Sequence, residues 1–413
     1  MTTLITLIAA LAQSAPVVTQ PPAAPTPPSA PGVPGTMAPS ASPVADAAGN
    51  AGIAGLVAPD ARPDLVIKGL MFAEGPASDA FGETYFCDMS GTRVYRIVRG
   101  ASGIRADVVV EDTSGCSGLA WSREGRLYSA QNYTGRIVEV VLGADGAGTL
   151  RGIVETYGGE PRAGANDLVI QPDGGIWFTN MGNKIHREWG GVYFTTTAGA
   201  EPVQVKVPLE RPNGIRLSPD GLTLYVADYM RPFVWSFPVQ GPGKLGEGRV
   251  FASLAVVGEP GRVSGGDGMT VDRLGNVWVA VPSAGAIVVF DSQGKPLGRV
   301  MLPESPSNCA FGGADGRTLY VTARSGIYAL PTIIDGYWCA RRERTVTFST
   351  SPAWIFCAPE PSSPIGSGGT MSTTFSPSFA SPRLTFASNS LHSFSRRSRI
   401  SFSGTFATRW PWT

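Results

Sequence analysis

Six polar residues occupy one repeated position along the 413-residue chain. Each of them lies eight residues before a glycine, with a short apolar stretch between the two. Residues at the same distance from equivalent turns lie at the same height in equivalent strands, so we expect these six side chains to converge on one volume. They are Glu74, Ser117, Asn166, Asn213, Asp267 and Asn308, and their glycines are Gly82, Gly125, Gly174, Gly221, Gly275 and Gly316.

Two carboxylates and several amides decide which chemistry this ring can do. Glu74 and Asp267 repel each other across a narrow opening unless a proton or a cation lies between them. Oxygen ligands of this kind suit a hard cation such as Ca²⁺, Mg²⁺ or Mn²⁺, which polarises a carbonyl and lowers the pKa of water. The alternative is a structural ring, whose polar residues hydrate a channel, cap strand ends or form ordinary Asn-Gly turns.

The elements that would position this ring form an internal repeat. After the turn glycine, each copy continues into a second strand that carries an aromatic residue, and successive polar positions are 41 to 54 residues apart. That spacing is the length of one four-stranded blade, so the sequence predicts an all-β, six-bladed β-propeller. Leu65-Val66-Ile67 is expected to pair with the last blade and close the ring. The aromatic residues, expected to pack between blades, are Tyr85, Tyr128, Trp177, Tyr225, Trp278 and Tyr320.

The second strands return to the same mouth and bring further polar residues towards it. One group is Asp88, Asn180 and Asp228, and the other, with candidate contacts to substrate hydroxyls, is Gln131, Asn132 and Arg324. For Asp228, support of a loop and a role in the site are equally compatible with the sequence. His186 follows Asn183-Lys184-Ile185 in a predicted loop and is interpreted as an exposed loop histidine rather than one that overhangs the mouth.

Composition excludes several classes of function. The formal net charge is +1 and the repeat region has no basic run with interleaved aromatics, so neither nucleic acid nor an anionic membrane is an expected partner. Five cysteines occur without a CxxC pair or zinc-ligand spacing. The chain has two histidines, which argues against a histidine-rich metal site and against a Ser-His-Asp triad. A small molecule remains as the expected partner.

The chain divides into four predicted segments. Residues 1–12 are an apolar run ending Ala10-Leu11-Ala12, too short to span a bilayer but typical of a signal peptide, which predicts a periplasmic or secreted protein. An apolar disordered N-terminus or a wrongly assigned start codon are the alternatives. Residues 13–58 are a Pro/Ala-rich linker, 59–331 the propeller, and 332–413 a Ser-, Arg- and Phe-rich tail that is either disordered or translated from a shifted frame.

Five short motifs, in a fixed order over about residues 63–331, resemble the gluconolactonase/regucalcin family, also called the senescence marker protein family. They are Phe72-Ala73-Glu74-Gly75-Pro76, Ala165-Asn166-Asp167-Leu168, Arg211-Pro212-Asn213-Gly214, Gly266-Asp267-Gly268-Met269 and the stretch from Ser307 to Gly313. The resemblance implies a six-bladed propeller that binds one divalent cation, with Glu74, Asn213 and Asp267 as ligands. It also implies that Asn166 holds the substrate or a water on the cation, with Asp167 beside it.

This sequence differs from the family pattern at two positions near the substrate side of the site. Animal members of the family carry an arginine two residues before the substrate asparagine, where this chain has Gly164 and carries Arg162 further back. Ser117 stands where many bacterial relatives have asparagine. Ser117 and Asn308 are retained as candidate substrate-binding residues, together with Asn166 and Asp167.

Taken together, ring and resemblance predict a metal-dependent lactonase. A cation, Ca²⁺ before Zn²⁺, Mn²⁺ or Mg²⁺, would polarise the carbonyl of a sugar lactone such as glucono-1,5-lactone, and Asp267 or Glu74 would act as general base on water. One alternative is a broader esterase or aryl-lactonase that uses the same site. The other is a propeller without catalytic activity that binds a sugar or a protein, since propellers have many functions.

Overall fold

The computed structural model describes residues 52–101, 103–257 and 265–337 of the chain. The predicted signal peptide, most of the predicted linker and nearly all of the predicted tail lie outside these residues. Within the described ranges, 25 strands and three short 3-10 helices follow one another. No helix in this part of the chain is both long and apolar enough to cross a membrane.

Six antiparallel sheets form the fold, and the inner strand of each contains the repeated polar position or, in the fifth sheet, begins two residues after it. Short apolar runs joined by glycine turns produce them, because a tight hairpin needs the positive φ that Gly82 adopts at 83° and Gly174 at 88°. The prediction of an all-β, six-bladed β-propeller is therefore confirmed. Blades 1 to 3 are β2–β5, β6–β9 and β10–β13; blade 4 is β14–β18; blade 5 is β19–β22; and blade 6 is β23–β25 with β1.

The strands and helices have the following bounds. Blades 1 and 2 contain β2 (Ala73–Ser78), β3 (Thr84–Asp88), β4 (Arg93–Gly100), β5 (Gly103–Val110), β6 (Cys116–Trp121), β7 (Leu127–Gln131), β8 (Ile137–Leu142) and β9 (Gly148–Val154). Blades 3 and 4 contain β10 (Ala165–Ile170), β11 (Gly175–Asn180), β12 (Gly191–Thr196), β13 (Val203–Val205), β14 (Pro212–Leu217), β15 (Thr223–Asp228), β16 (Phe233–Gly241), β17 (Lys244–Leu245) and β18 (Arg249–Ser253). Blades 5 and 6 contain β19 (Met269–Val271), β20 (Val277–Val281), β21 (Ala286–Phe290), β22 (Pro296–Met301), β23 (Pro306–Gly312), β24 (Thr318–Ala323), β25 (Gly326–Pro331) and β1 (Asp64–Lys68). The 3-10 helices are Arg187–Trp189, Leu254–Val257 and Pro282–Ala284.

The last blade is completed by the first strand, as the sequence predicts. β1 pairs antiparallel with β25, with Leu65 opposite Tyr328 and Ile67 opposite Ile327. Pairing the N-terminal strand with C-terminal strands leaves no open edge within the ring, so the six blades form one closed body.

Each of the six repeated aromatic residues is buried in a different hydrophobic cluster, and each cluster joins two neighbouring blades. Tyr85 meets Trp121 edge-on across blades 1 and 2, with ring centroids 5.2 Å apart. Trp278 meets Phe311 in the same way across blades 5 and 6, at 5.4 Å. Burying a large apolar side chain contributes roughly 1.5–3 kcal/mol, so these clusters fix the blade spacing on which the inner ring depends.

Two chain segments beside the blades also pack on the propeller. Ile53, Leu56 and Val57, at the end of the predicted linker, are buried in the cluster between blades 5 and 6. At the start of the predicted tail, Asp335 pairs with Arg273, and the Tyr337 N–H donates to Val271 O at 3.0 Å. Described residues on both sides of 59–331 therefore contribute to the folded body.

Candidate active site

The six ring residues lie at the same end of the inner strands, and all are buried. Five of them belong to inner strands, and Asp267 lies just before β19, which starts at Met269. The structure thus brings together the residues that the eight-residue spacing selects. Their exposed fractions range from 1% for Ser117 to 8% for Asp267.

A β-bulge accompanies the ring position in five blades. In blade 1, Glu74 pairs with Cys87 but the next paired residue is Ala77, with Tyr85, so β2 carries one extra residue. Equivalent register shifts occur in β6, β10, β14 and β23. A bulge interrupts the alternation of side chains and bends the strand, which lets polar residues turn into the channel mouth.

Neighbouring inner strands are in contact around the ring. A Cβ atom added at any of four ring glycines would overlap the next blade. The pairs are Gly75 with Ser117, Gly118 with Asp167, Gly214 with Asp267 and Gly268 with Asn308. Thr179 Oγ1 donates to Asn213 O at 2.6 Å between blades 3 and 4, and Ser307 Oγ donates to Ala73 O at 2.6 Å between blades 6 and 1. The ring is therefore closed and narrow, with glycine where backbones approach most closely.

Glu74 and Asp267 form an electrostatically strained pair. Burial, and to a smaller extent the charge of Asp267, raise the pKa of Glu74 well above its ordinary value. A hydrogen bond from Gly75 N at 3.0 Å lowers this pKa but does not cancel the rise. Burial raises the pKa of Asp267 to about 7; a bond with Asn213 and the charges of Arg211 and Arg324 oppose the rise. Within the described residues, neither carboxylate forms a salt bridge. Each therefore needs a proton or a cation to be stable in this place.

The two asparagines of blades 3 and 4 share a partner that the sequence did not indicate. Asn166 Nδ2 donates to Met181 Sδ at 3.1 Å, and Asn213 Nδ2 approaches the same sulfur at 3.6 Å. Met181 follows the last residue of β11 and has no motif around it. Its thioether links the predicted substrate asparagine with the predicted ligand asparagine.

Asn308 and Ser117 line the same ring but differ in their contacts. The Asn308 side chain accepts a hydrogen bond from Cys309 N at 2.8 Å, and its amide also lowers the pKa of Glu74. Ser117 is buried, with its backbone carbonyl against Gly75. Asn308 is thus placed beside a carboxylate, whereas the contribution of Ser117 to the ring is mainly close packing.

Asp167 points away from its neighbour Asn166. Its carboxylate accepts from Arg216 Nη1 at 2.9 Å and from Leu168 N at 2.9 Å, and its side chain is 1% exposed. Arg216 lines a cavity of about 380 Å³ at the opposite end of the channel. The structure therefore places Asp167 beneath the ring, where its charge raises the pKa of both Glu74 and Asp267.

The acidic residues at the ends of the second strands support loops. Asp88 accepts from the backbone N–H groups of Met71 and Phe72 at 3.0 and 2.8 Å, immediately before Glu74. Asp228 does the same for residues 210 and 211, immediately before Asn213, at 3.0 and 3.2 Å. These two aspartates position the ring. A sequence signal was available, because they follow their ring residues by 14 and 15 positions.

Asn180 and His186 also have structural partners. Asn180 Nδ2 donates to Arg162 O at 2.8 Å, and its Oδ1 accepts from Gly182 N at 2.7 Å. His186 stacks on Trp189 with ring centroids 4.0 Å apart, and its Nδ1 lies 2.8 Å from a Glu188 oxygen. The histidine side chain is 42% exposed, in agreement with its interpretation as a loop residue.

Comparison with known proteins agrees with this geometry. A family model described as SMP-30/Gluconolactonase/LRE-like region matches residues 72–325. The chain belongs to this family. The matched region runs from the motif that contains Glu74 to the turn between the last two strands, so all six ring residues fall within it.

Proteins similar to this chain include a gluconolactonase and a diisopropyl-fluorophosphatase. A gluconolactonase from Zymomonas mobilis subsp. mobilis is 28% identical over 240 residues, 53% of this chain and 63% of that protein, so the chain spans less than two thirds of it. Diisopropyl-fluorophosphatase from Loligo vulgaris is 27% identical over 273 residues, 60% of this chain and 85% of that protein. A solved gluconolactonase from Xanthomonas campestris has a TM-score of 0.56 at 29% identity, covering 70% of this chain and 94% of that one.

The structure explains why this chain has Gly164 where animal members of the SMP-30/gluconolactonase family have arginine. Gly164 has φ of 117°, and a Cβ there would lie 2.5 Å from the side-chain oxygen of Asn180. An arginine does not fit at this position without a change of backbone. Arg162 instead lies over the ring of Tyr157, 5.6 Å from its centroid.

The residues present fit a divalent cation. The described residues contain no group of three or more His, Cys, Asp or Glu side chains arranged to hold a metal ion. The ligand set implied by the family has two acids and one amide, however, and Asn213 contacts Asp267. Two buried carboxylates that repel each other within a ring of amides match the oxygen ligands that hard cations prefer.

Proposed function

We propose that the protein is a metal-dependent lactonase whose preferred substrates are sugar lactones such as glucono-1,5-lactone. The observation that carries this proposal is the opposed pair Glu74 and Asp267, buried in a narrow ring of amides and without a salt bridge among the described residues. A channel that only bound sugars would gain nothing from two carboxylates that repel each other. Membership of the SMP-30/gluconolactonase family supports the same reaction class.

Glu74, Asn213 and Asp267 would hold the cation, with Ca²⁺ preferred and Zn²⁺, Mn²⁺ or Mg²⁺ as alternatives. When bound, such a cation supplies Lewis-acid polarisation of the ester carbonyl. The surrounding protein contributes a dry, closed ring in which charges act at low dielectric. Asp88 and Asp228 hold the backbone before two of these ligands and keep them in place.

Proton transfer is assigned to the carboxylates. A water molecule adds its oxygen to the lactone carbonyl carbon while one proton passes to a carboxylate oxygen of Asp267, the more exposed of the two ring acids. The ring C–O bond then breaks, and the proton returns to the departing oxygen. One lactone and one water thus give one hydroxy acid. Glu74 is the alternative base, and Asn166 and Asn308 would bind substrate oxygens at the mouth.

A second candidate function is hydrolysis of the P–F bond of organophosphorus fluorides on the same ring. It rests on the similarity to diisopropyl-fluorophosphatase, which extends over 85% of that protein. The polar mouth favours a sugar lactone over an apolar phosphoryl compound, so we rank it second. Comparing rates on glucono-1,5-lactone, phenyl acetate and diisopropyl fluorophosphate separates a lactonase, a broad esterase and a phosphatase.

Removing the cation is expected to abolish lactone hydrolysis. The full chain would be treated with a chelator, dialysed and supplied in turn with Ca²⁺, Mg²⁺, Mn²⁺ and Zn²⁺, and acid release from glucono-1,5-lactone would be followed. We expect a fall of about 100-fold or more on chelation and recovery with at least one cation. Solutions of each cation without protein correct for spontaneous hydrolysis. Tight cation binding with no rate above this control would leave the site but remove the lactonase assignment.

The cation should also stabilise the fold in a pH-dependent way. Because the pKa of Asp267 is raised to about 7, the metal-free protein loses stability as pH rises from the ordinary range of aspartate through that value. A cation replaces the lost proton, so the increase in Tm on adding Ca²⁺ should be roughly 5 °C larger near pH 8 than near pH 5. Thermal unfolding of the wild type and of Asp267→Asn checks this. An equal pH dependence in both proteins would contradict it.

A further inference from the structure

A second cavity opens beside the ring, on the same end of the propeller. It has a volume of about 390 Å³ and is bordered by loops of blades 2, 3 and 4, including Asn132, Met181, Lys184 and Arg211. We call it the mouth cavity. Arg211 lies two residues before Asn213, and Met181 contacts the amides of both Asn166 and Asn213. The mouth cavity therefore adjoins the predicted substrate and ligand asparagines.

The lining of the mouth cavity is cationic. It contains Lys184 and Arg211 and no aspartate or glutamate. In the part of the chain that the structure describes, neither side chain takes part in a salt bridge, and the Arg211 guanidinium lies 5.7 Å from the centroid of the Tyr229 ring. Asp228, the nearest acid in sequence, binds the backbone N–H of Arg211 and the side chain of Arg231 instead.

Among the described residues, the ring carboxylates form no salt bridge with this cationic lining. Asp267 is buried and bonded to Asn213, and Arg211 acts on it only through its charge. On the other side of the mouth, Arg324 is exposed above the ring of Phe72, and its charge reaches Asp267 as that of Arg211 does. A ligand in the mouth thus meets positive charge from blades 3, 4 and 6.

We propose that the mouth cavity binds an anionic group of the substrate, so that the preferred lactone carries a phosphate, sulfonate or carboxylate at the end remote from its ester carbonyl. This inference rests on the proposed function, because it places the carbonyl at the ring and the remote end in the adjoining cavity. Arginine and lysine beside an asparagine side chain provide charge-assisted donors for such oxygens. A neutral lactone would give neither cation an anionic group to pair with.

The test measures binding of open-chain sugar acids, which does not require turnover. Isothermal titration of the full chain with saturating Ca²⁺ compares gluconate with 6-phosphogluconate and glucarate. We expect at least one of the two acids that carry a second anionic group to bind about tenfold more tightly than gluconate. Which of them does so distinguishes a phosphate from a carboxylate. In Lys184→Gln and Arg211→Gln, this preference should fall to less than threefold, and added salt should weaken it in the wild type.

Lys295→Gln is the matched control, because this exposed lysine lies in the hairpin between β21 and β22, at the other end of the blade, and should keep the full preference. Equal affinity for all three acids would overturn the inference, as would a preference that survives both variants. Hydrolysis of glucono-1,5-lactone and of 6-phosphoglucono-1,5-lactone is measured in parallel. Turnover without discrimination between the acids refutes only the anionic subsite, whereas discrimination without turnover of either lactone refutes only the lactonase assignment.

Discussion

Asp267→Asn is expected to lower kcat for lactone hydrolysis about 10³-fold, within the range found for loss of a general base. The substitution keeps the size of the side chain and one oxygen, but it removes the negative charge and the proton acceptor. Asp267 lies 8% exposed at the mouth, next to Asn213, with its pKa raised to about 7. It is the more exposed of the two ring carboxylates, since Glu74 is 5% exposed.

Glu74→Gln should give a different pattern from Asp267→Asn. Burial and repulsion raise the pKa of Glu74 well above its ordinary value, which suits a ligand that is ionised only when a cation is present. Its loss is therefore expected to weaken cation binding, so that high concentrations of Ca²⁺ restore part of the activity. Asp267→Asn should stay inactive at every Ca²⁺ concentration if Asp267 is the base.

Kinetics over a range of Ca²⁺ concentrations, with cation binding measured separately, distinguish these roles. Glu188→Gln is a suitable control, because this exposed glutamate lies in the 3-10 helix Arg187–Trp189 at the same end and its side chain pairs with His186. It should keep wild-type kcat and cation affinity. Full activity of Asp267→Asn with cation bound would remove the base assignment from Asp267 and transfer it to Glu74.

The ring and the blades could be predicted from sequence because both depend on short-range geometry. Eight residues connect Glu74 to Gly82 and Asp267 to Gly275, a length set by one short strand and one tight turn. Repetition of that distance determines the height of each side chain in its blade. The aromatic residue of the next strand then identifies the interface between blades, as Trp278 does against Phe311.

The direction of Asp167 could not be predicted in the same way. It adjoins Asn166 in the sequence, and neighbouring side chains in a regular strand point to opposite faces. The bulge between Ala165 and Leu168 interrupts this alternation, so the sequence alone does not give the direction of the Asp167 side chain. Its partner, Arg216, lies 49 residues further on in the next blade. A contact of this kind depends on how blades 3 and 4 pack, which no local spacing encodes.

Met181 could not be predicted from the sequence, and the two aspartates that support loops could be predicted only in part. Met181 reaches Asn213 across a blade boundary, and its residue type suggests only general packing. Asp88 and Asp228 recur at nearly the same distance from their ring residues, so a comparison among repeats indicates them, although it does not distinguish loop support from catalysis. Their hydrogen bonds to backbone N–H groups decide the question in favour of loop support.

Arg216→Met is expected to reduce the free energy of unfolding by about 3–5 kcal/mol near neutral pH, as loss of one partner of a buried ion pair does. The Arg216 and Asp167 side chains are 14% and 1% exposed, so the remaining carboxylate would be buried without its counter-ion. Methionine approximates the length of the arginine side chain and limits the cavity left behind. Denaturant unfolding of both proteins at neutral pH measures the loss.

Two controls distinguish the buried charge from a general loss of packing. Arg105→Met breaks the surface pair with Asp107, whose side chains are 58% and 37% exposed, and should cost less than about 1 kcal/mol. Asp167→Asn added to Arg216→Met should recover much of the loss, because it removes the unpaired charge. Asp167 already raises the pKa of Glu74 and Asp267, so Arg216→Met should also move the acid limb of the pH–rate profile to higher pH. If the double variant is no more stable than Arg216→Met and that limb does not move, the ion pair beneath the ring has no electrostatic influence on the site.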